Sequence, residues 1–419
     1  MIFKNKHVFF LLSLIFMTFH VNAQEVYTLQ EALRTAKVQN PMLKTEHYEI
    51  EFAKSDVLSA KLRLNPTLEN ESIQLMRRSE FANNTHWYDG QNREVFWHIS
   101  KPFQWAGQRK NTIDVANKSL LFTEEEYANI ERELFLEVAQ KWLEVWTTQK
   151  QLEIIQTAKN NIDSLMDINQ RRYENQVITQ TDLFRTELLA KQYALQLKSA
   201  LQEGKNLQKE LGYLLGVQED IQVDTAANFI FEIPESMNSL FLKSLEERSD
   251  IRSAKYLFDI SESNVKLQKS LAIPQPELGV IFNPMNAIPY MGISFSIDIP
   301  FFDRNQGERK KSFQLQEQAQ SRLLNVQKQI ETEIAIAHAN YTLQQENIVQ
   351  FQELLLQSET ILENVKQAYL LGGTTIIDFL EAQRSWLEIQ QEHYEAQQAY
   401  IESHVQLLYA TGLINQLAQ

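Results

Sequence analysis

Met291-Gly292-Ile293-Ser294-Phe295-Ser296-Ile297-Asp298-Ile299-Pro300-Phe301 alternates throughout, with an apolar residue at every odd number and a small, polar or proline residue at every even one. Period two marks a strand, because successive side chains point to opposite faces. The stretch has the length, about 9 to 11 residues, that a tilted strand needs to cross the hydrocarbon of a bilayer. Val95, Trp97 and Ile99 alternate with Phe96, His98 and Ser100 in the same way. The partner strands are weaker: Leu278, Val280 and Phe282 keep the period, whereas Thr67 to Met76 barely does. Two half-buried hairpins on a soluble core would also produce such a pattern. Trp87, Tyr88, Trp97, Trp105 and Tyr290 cluster around these segments, and aromatic residues of this kind gather at membrane–water interfaces.

Outward from the hairpins the chain reads as one unit written twice. Asn40-Pro41 aligns with Arg248-Ser249 at an offset of 208, which also carries Pro66 onto Pro274. Lys101-Pro102-Phe103 corresponds to Ile299-Pro300-Phe301, each followed by a turn and a basic helix start, Gln108-Arg109-Lys110 and Glu308-Arg309-Lys310. At an offset of 196, Tyr173, Thr179, Asp182, Leu211, Tyr213 and Gly216 fall on Tyr369, Thr375, Asp378, Leu407, Tyr409 and Gly412. The expected organisation is a first repeat over 24–216 with a hairpin at about 67–104, a linker over 217–238, and a second repeat over 239–419 with a hairpin at about 275–301.

Each half reads as helix, hairpin, long helix, helix. Thr28 with Glu31 three residues on forms a capping-box pattern, and the first helix is expected to run towards Leu64. Its counterpart is expected from about Ser239 to Leu271. Ile330, Ile334, Ala337, Tyr341, Gln344, Ile348, Phe351, Leu355, Ser358, Leu362, Val365 and Tyr369 occupy alternating a and d positions of a heptad. Moved back by 196, the frame runs from Leu134 to Tyr173. A sustained heptad winds helices into a left-handed coiled coil. Gln108 to Arg172 as one helix would extend about 98 Å, more than a compact core can use. Only 11 Gly and 9 Pro in 419 residues agree with such long elements.

Residues 1–23 have the pattern of an export signal: Lys4 and Lys6, an apolar run from Val8 to Phe19, and small residues before the expected cleavage after Ala23. No later apolar run is long enough for a membrane helix, so any membrane passage falls to a β-barrel. Four strands cannot close one, since the smallest transmembrane barrels have about eight. Several copies would have to contribute, with their helices extending the barrel into a tube. The predicted fold is thus mostly α with a small β part: a long coiled-coil α-helical barrel continued by a transmembrane β-barrel. An exported coiled-coil structural or adaptor protein without a pore is the alternative, in which the Met291–Phe301 face would be buried.

The order of elements, the Leu29, Ala32, Leu33 opening with Asn40-Pro41, and the Tyr369, Gly372, Asp378 segment followed by Leu380, Glu381 and Ala382 resemble the TolC family of outer membrane efflux ducts. The resemblance covers about Thr28 to Gly412. It implies a homotrimer with four strands per chain in one barrel, located in the outer membrane and extending into the periplasm. It also implies a periplasmic adaptor (membrane fusion) protein and an inner-membrane pump, most often of the RND type. Conduction would be passive, with heavy-metal cations or drugs as the cargo. On the family pattern Tyr369, Gly372, Asp378 and Glu381 lie at the periplasmic entrance, with Asp182 at the equivalent point of the first half. Asp378 and Glu381 are three apart and can share a helix face, so a trimer would carry rings of negative charge that favour cations. The plainer role of such acids is to complement a helix N-terminus. Thr374 stands where some members place an Arg that locks the closed state, and Gln176 stands where the second half has Gly372.

Chemistry beyond conduction has no signature. There is no Cys, and no Walker loop, Gly-x-Ser-x-Gly or dinucleotide fingerprint. His338, His393 and His404 lack the spacing of a zinc site. The expectation is a protein that is not an enzyme and has no cofactor or metal. A net charge of -14 argues against a nucleic-acid partner.

Overall fold

The computed structural model describes residues 26–218, 221–226, 237–284 and 288–418; the expected leader and part of the expected linker lie outside them. In order, the elements are β1 (Val26–Tyr27), α1 (Leu29–Gln39), α2 (Pro41–Lys61), β2 (Thr67–Gln74), β3 (Arg93–Pro102), α3 (Gln108–Glu174) and α4 (Gln180–Leu215), then β4 (Gln222–Val223), α5 (Met237–Glu247), α6 (Ser249–Leu271), β5 (Pro276–Asn283), β6 (Tyr290–Ile297), α7 (Gln306–Leu370) and α8 (Ile376–Thr411).

Each expected opening helix is in fact two helices. Thr28 caps α1 through the expected box: Glu31 N donates to its Oγ1 at 3.2 Å, and its own N–H donates to Glu31 Oε2 at 2.9 Å. The chain then breaks at Asn40, whose side-chain oxygen accepts from the N–H groups of Met42 and Leu43 at 2.8 and 3.0 Å. Pro41 follows at the first position of α2, where its missing N–H costs nothing. Arg248 interrupts the second half at the equivalent place, between α5 and α6. Both residues turn inward to the end of a distant helix. Asn40 Nδ2 donates to Leu214 O, and Arg248 Nη1 donates to Ala410 O, both at 2.8 Å. Gly216 and Gly412 end α4 and α8 in the left-handed region, with φ of 75° and 80°. A Cβ on Gly216 would lie 2.5 Å from Gln39 O, so the junction admits only glycine.

The long helices bury the heptad face. All twelve positions of the frame from Ile330 to Tyr369 are buried or half-buried, whereas in the first half Tyr173 alone departs, at 38% exposure. A second buried stripe on α3, including Phe135, Trp142, Trp146, Ile154, Ala158 and Leu165, lies outside the single frame. It exists because α3 packs on both α4 and α8. Around it, α1 contributes Ala32, Leu33 and Ala36, α4 Leu211 and Leu215, and α8 Ile401 and Val405. Trp142 Nε1 donates to Tyr27 O at 2.9 Å, which fixes β1 to this core. β1 pairs in parallel with β4, so the expected linker supplies a strand of its own.

At the other end of α3 and α7 stands a four-stranded antiparallel sheet in the order β2-β3-β5-β6. Its register places Leu68 opposite Ile99, Ile99 opposite Val280, and Val280 opposite Ile293. Trp97, Phe282 and Met291 form the next row on that face. The face is uncovered: Ile293 is 85% exposed, Met291 75% and Phe295 63%. β6 stops at Ile297 rather than continuing to Phe301, and Pro300, which has no N–H for a ladder, lies beyond its end. Trp97 is mid-strand, so the aromatic belts are Trp87, Tyr88 and Tyr290 at the loop end and Phe103, Trp105, Phe301 and Phe302 at the helix end.

Candidate functional site

The ends of the long helices far from the sheet form two reversals, Asn175–Thr179 and Leu371–Thr375. Both use a left-handed residue, Gln176 at φ 59° and Gly372 at φ 79°. Val177 N donates to Arg172 O, and Gly373 N to Ala368 O, both at 2.8 Å, which closes each turn in the same way. The outgoing helices start with capping boxes, Thr179 with Asp182 and Thr375 with Asp378.

Asp378 is occupied by its own helix start. Its Oδ2 accepts from Thr375 Oγ1 at 2.6 Å, Thr374 Oγ1 at 2.7 Å and Thr375 N at 3.1 Å. Hydrogen bonds from Thr375, then from Thr374, hold this exposed carboxyl below the usual carboxylate range. Asp182 caps α4 and also meets Arg185 Nη1 at 3.4 Å. Glu381 is exposed on α8.

Tyr369 is the centre of the site. It is buried, and its hydroxyl donates to Asn169 Oδ1 at 2.6 Å. Asn169 Nδ2 donates to Thr186 Oγ1 at 2.9 Å, and Thr186 Oγ1 donates to Asp182 O at 3.2 Å. The Tyr369 ring stacks on Phe379 with centroids 5.5 Å apart, and the Arg172 guanidinium carbon lies 4.8 Å from the same ring. Arg172 Nη2 donates to Leu370 O at 3.0 Å. One hairpin is therefore fastened to the other through Tyr369 and Arg172, beside a cleft of about 410 Å³ lined by Arg172, Thr179, Asp182, Gly372 and Thr374.

Of the residues singled out in the sequence, Tyr369, Gly372 and Asp182 meet here. Asp378 touches the cleft only through Thr374 and Thr375, and Glu381 is not among its lining residues. Asn169, Arg172 and Thr186 were not anticipated. Asn169 had a signal: it is a polar residue inside an apolar heptad stripe, the kind that fixes register between helices.

The model of the outer membrane efflux protein family matches residues 32–217 and 240–413. The chain belongs to that family. The pyoverdine export outer membrane protein OpmQ of Pseudomonas putida is 25% identical over 323 residues, which cover 74% of this chain and 67% of OpmQ. The structure of CusC, described in connection with transmembrane channel formation, superposes with a TM-score of 0.77 at 18% identity, covering 94% of this chain and 93% of CusC. The CmeC outer membrane channel of Campylobacter jejuni gives a TM-score of 0.78 at 15% identity, covering 92% and 85%. The family's members are channels rather than enzymes, and this efflux protein resides in the outer membrane and extends into the periplasm.

Proposed function

We propose that this efflux protein is the exit duct of a tripartite efflux or type I secretion system, conducting cargo passively once a periplasmic adaptor and an inner-membrane pump engage it. The observation that carries the reading is the uncovered sheet. Its outer face is apolar, the outer edges of β2 and β6 have no further strand among the described residues, and 67- and 65-residue helices continue from it. No described helix is long and apolar enough to cross a membrane. Lipid on the apolar face and further copies on the edges satisfy both demands at once. Three copies supply twelve strands, within the size range of closed transmembrane barrels. Exposed Tyr48, Phe52 and Leu58 on α2, Leu188 and Leu195 on α4, and Leu343, Val349 and Leu356 on α7 give the helical flanks matching apolar surface. The paired Asn40–Leu214 and Arg248–Ala410 contacts support descent from a duplicated unit.

The tip is the entrance. Tyr369, Asn169, Thr186 and Arg172 hold the two hairpins of each copy together, and opening requires that these bonds part. Asp182 and Asp378 order the helix starts, and with Glu381, repeated around the trimer, they make the rim acidic. Cargo is selected by the pump; heavy-metal cations, drugs and small exported chelators such as that named for OpmQ are the classes this reading admits.

Light scattering of the detergent-extracted protein and conductance in planar bilayers test the proposal together. A trimer with small conductance is expected, and Glu381→Gln should lower its preference for cations over anions. A monomer without conductance would overturn the duct and favour a pore-free coiled-coil adaptor.

A further inference from the structure

The four junctions between sheet and helices carry a charge opposite to the rest of the chain. Residues 58–66, 101–112, 266–275 and 298–311 contain eleven Lys and Arg and three Asp and Glu, a net of +8 in a chain whose net is -14. The far end of the sheet is different: loop and strand residues 75–94 carry three Arg against three Asp and Glu. At the junctions Lys61, Arg63, Lys110, Arg304 and Lys310 are exposed. The ion pairs formed there among the described residues are Lys266 with Glu262 at 3.5 Å and Lys311 with Glu308 at 3.6 Å, so most of this charge is uncompensated.

Local structure accounts for only part of it: Arg109 Nη2 donates to Lys61 O at 2.7 Å, Arg304 Nε donates to Pro300 O at 3.0 Å, and Lys269 Nζ lies 5.1 Å from the Phe313 ring centroid. Lys110 stands in the opening turn of α3, where a cation opposes the helix dipole, and Lys310 lies one turn into α7, behind Glu308, whereas at the tip the chain puts Asp182 and Asp378 in the first turns of α4 and α8. Between the cations lie apolar side chains held out to the surroundings: Phe302 is 95% exposed, Phe301 72% and Ile299 70%. Aromatic residues interleaved with cations, directly below an apolar sheet face, are the composition of a protein surface set against lipid headgroups.

We propose that this basic, aromatic collar binds the anionic phospholipid headgroups of the periplasmic leaflet of the outer membrane. The inference rests on the placement of the sheet in that membrane, which puts the helix-side junctions at the inner leaflet. Apolar side chains enter the acyl boundary, and the Lys and Arg heads meet phosphate oxygens at the level where the helices begin. Anionic lipid thereby fixes the depth of the barrel and the angle at which the helices leave it.

The test uses the full-length protein reconstituted in vesicles of phosphatidylethanolamine with and without phosphatidylglycerol, and native mass spectrometry of the lipids it retains. Retention of phosphatidylglycerol over phosphatidylethanolamine is expected, weakening as salt rises. In Lys110→Glu/Arg304→Glu/Lys310→Glu that preference should fall at least about tenfold, and Lys110→Gln/Arg304→Gln/Lys310→Gln should give an intermediate value. Equal retention of both lipids by a protein that inserts and conducts would overturn the collar and leave the duct intact. Anionic-lipid retention unchanged in the variants would place the binding elsewhere, at Arg77 and Arg78 of the outer loop, and would also overturn it. Loss of the trimer in the variants without any lipid preference in the parent would assign the cations to neighbouring copies instead. Failure to insert into either vesicle would sink the membrane placement itself.

Discussion

At Tyr369 a single oxygen joins the two hairpins, and Tyr369→Phe removes it while leaving the ring on Phe379. Asn169 Oδ1 is then left buried without its donor, a cost of about 1–3 kcal/mol per copy. The expected outcome is more frequent opening in planar bilayers, together with faster amide exchange in the hairpins. Gln176 presents the opposite case. Its φ of 59° lies where a side chain is disfavoured by about 1–2 kcal/mol, so Gln176→Gly should slow amide exchange at the first tip. His404, buried against Tyr341, has its pKa pushed down by desolvation to about 4. The unfolded imidazole takes a proton first, so stability is full above about pH 6.5 and falls through to about pH 4, by about 3 kcal/mol in all. Denaturant titrations on either side of that window should show the loss, and His404→Gln should flatten it. Asp378 adds to the same trend lower down: its depressed pKa means that cap stability is present above the ordinary carboxylate value and disappears as pH falls through the folded one.

Among the elements, the heptad on α7 was fully legible because its buried side chains keep to one periodic face, even where α5, α6 and α8 all pack on it. Ile334 is 1% exposed in that face, and Ile334→Ala should cost about 2–5 kcal/mol in chemical denaturation. The second stripe of α3 escaped the same reading, since a single frame describes one partner and α3 packs on α1, α2, α4, α6 and α8. The break at Asn40 was written in the residues, an N-cap followed by proline, yet the repeat alignment used them only as landmarks. The break at Arg248 was not legible, because the side chain works largely through tertiary contacts, to Glu333 and the Ala410 carbonyl, besides its local pair with Asp250. At the tip, Tyr369 and Asp182 could be found from the repeat and Gly372 from the family resemblance, whereas Arg172 could not. Its acceptors are main-chain carbonyls, which leave no trace in composition.

For the whole molecule, the demand of the sheet for lipid sets the sharpest prediction. Ile293, at mid-strand on the uncovered face, should tolerate Leu or Val but not Lys: Ile293→Lys is expected to cost about 2–4 kcal/mol of insertion at mid-depth. Membrane fractionation would then show the variant depleted from the outer membrane, with its helical content retained. A different property follows from how the tip is fastened. Tyr369, Asn169 and Thr186 are uncharged, and Arg172 grips a carbonyl and a ring rather than a carboxylate. Mobile ions weaken exposed pairs of opposite charge but leave short contacts of this kind almost untouched. The periplasm exchanges small ions with the surroundings of the cell, so hairpins joined in this way stay joined with the same strength in dilute and in saline water.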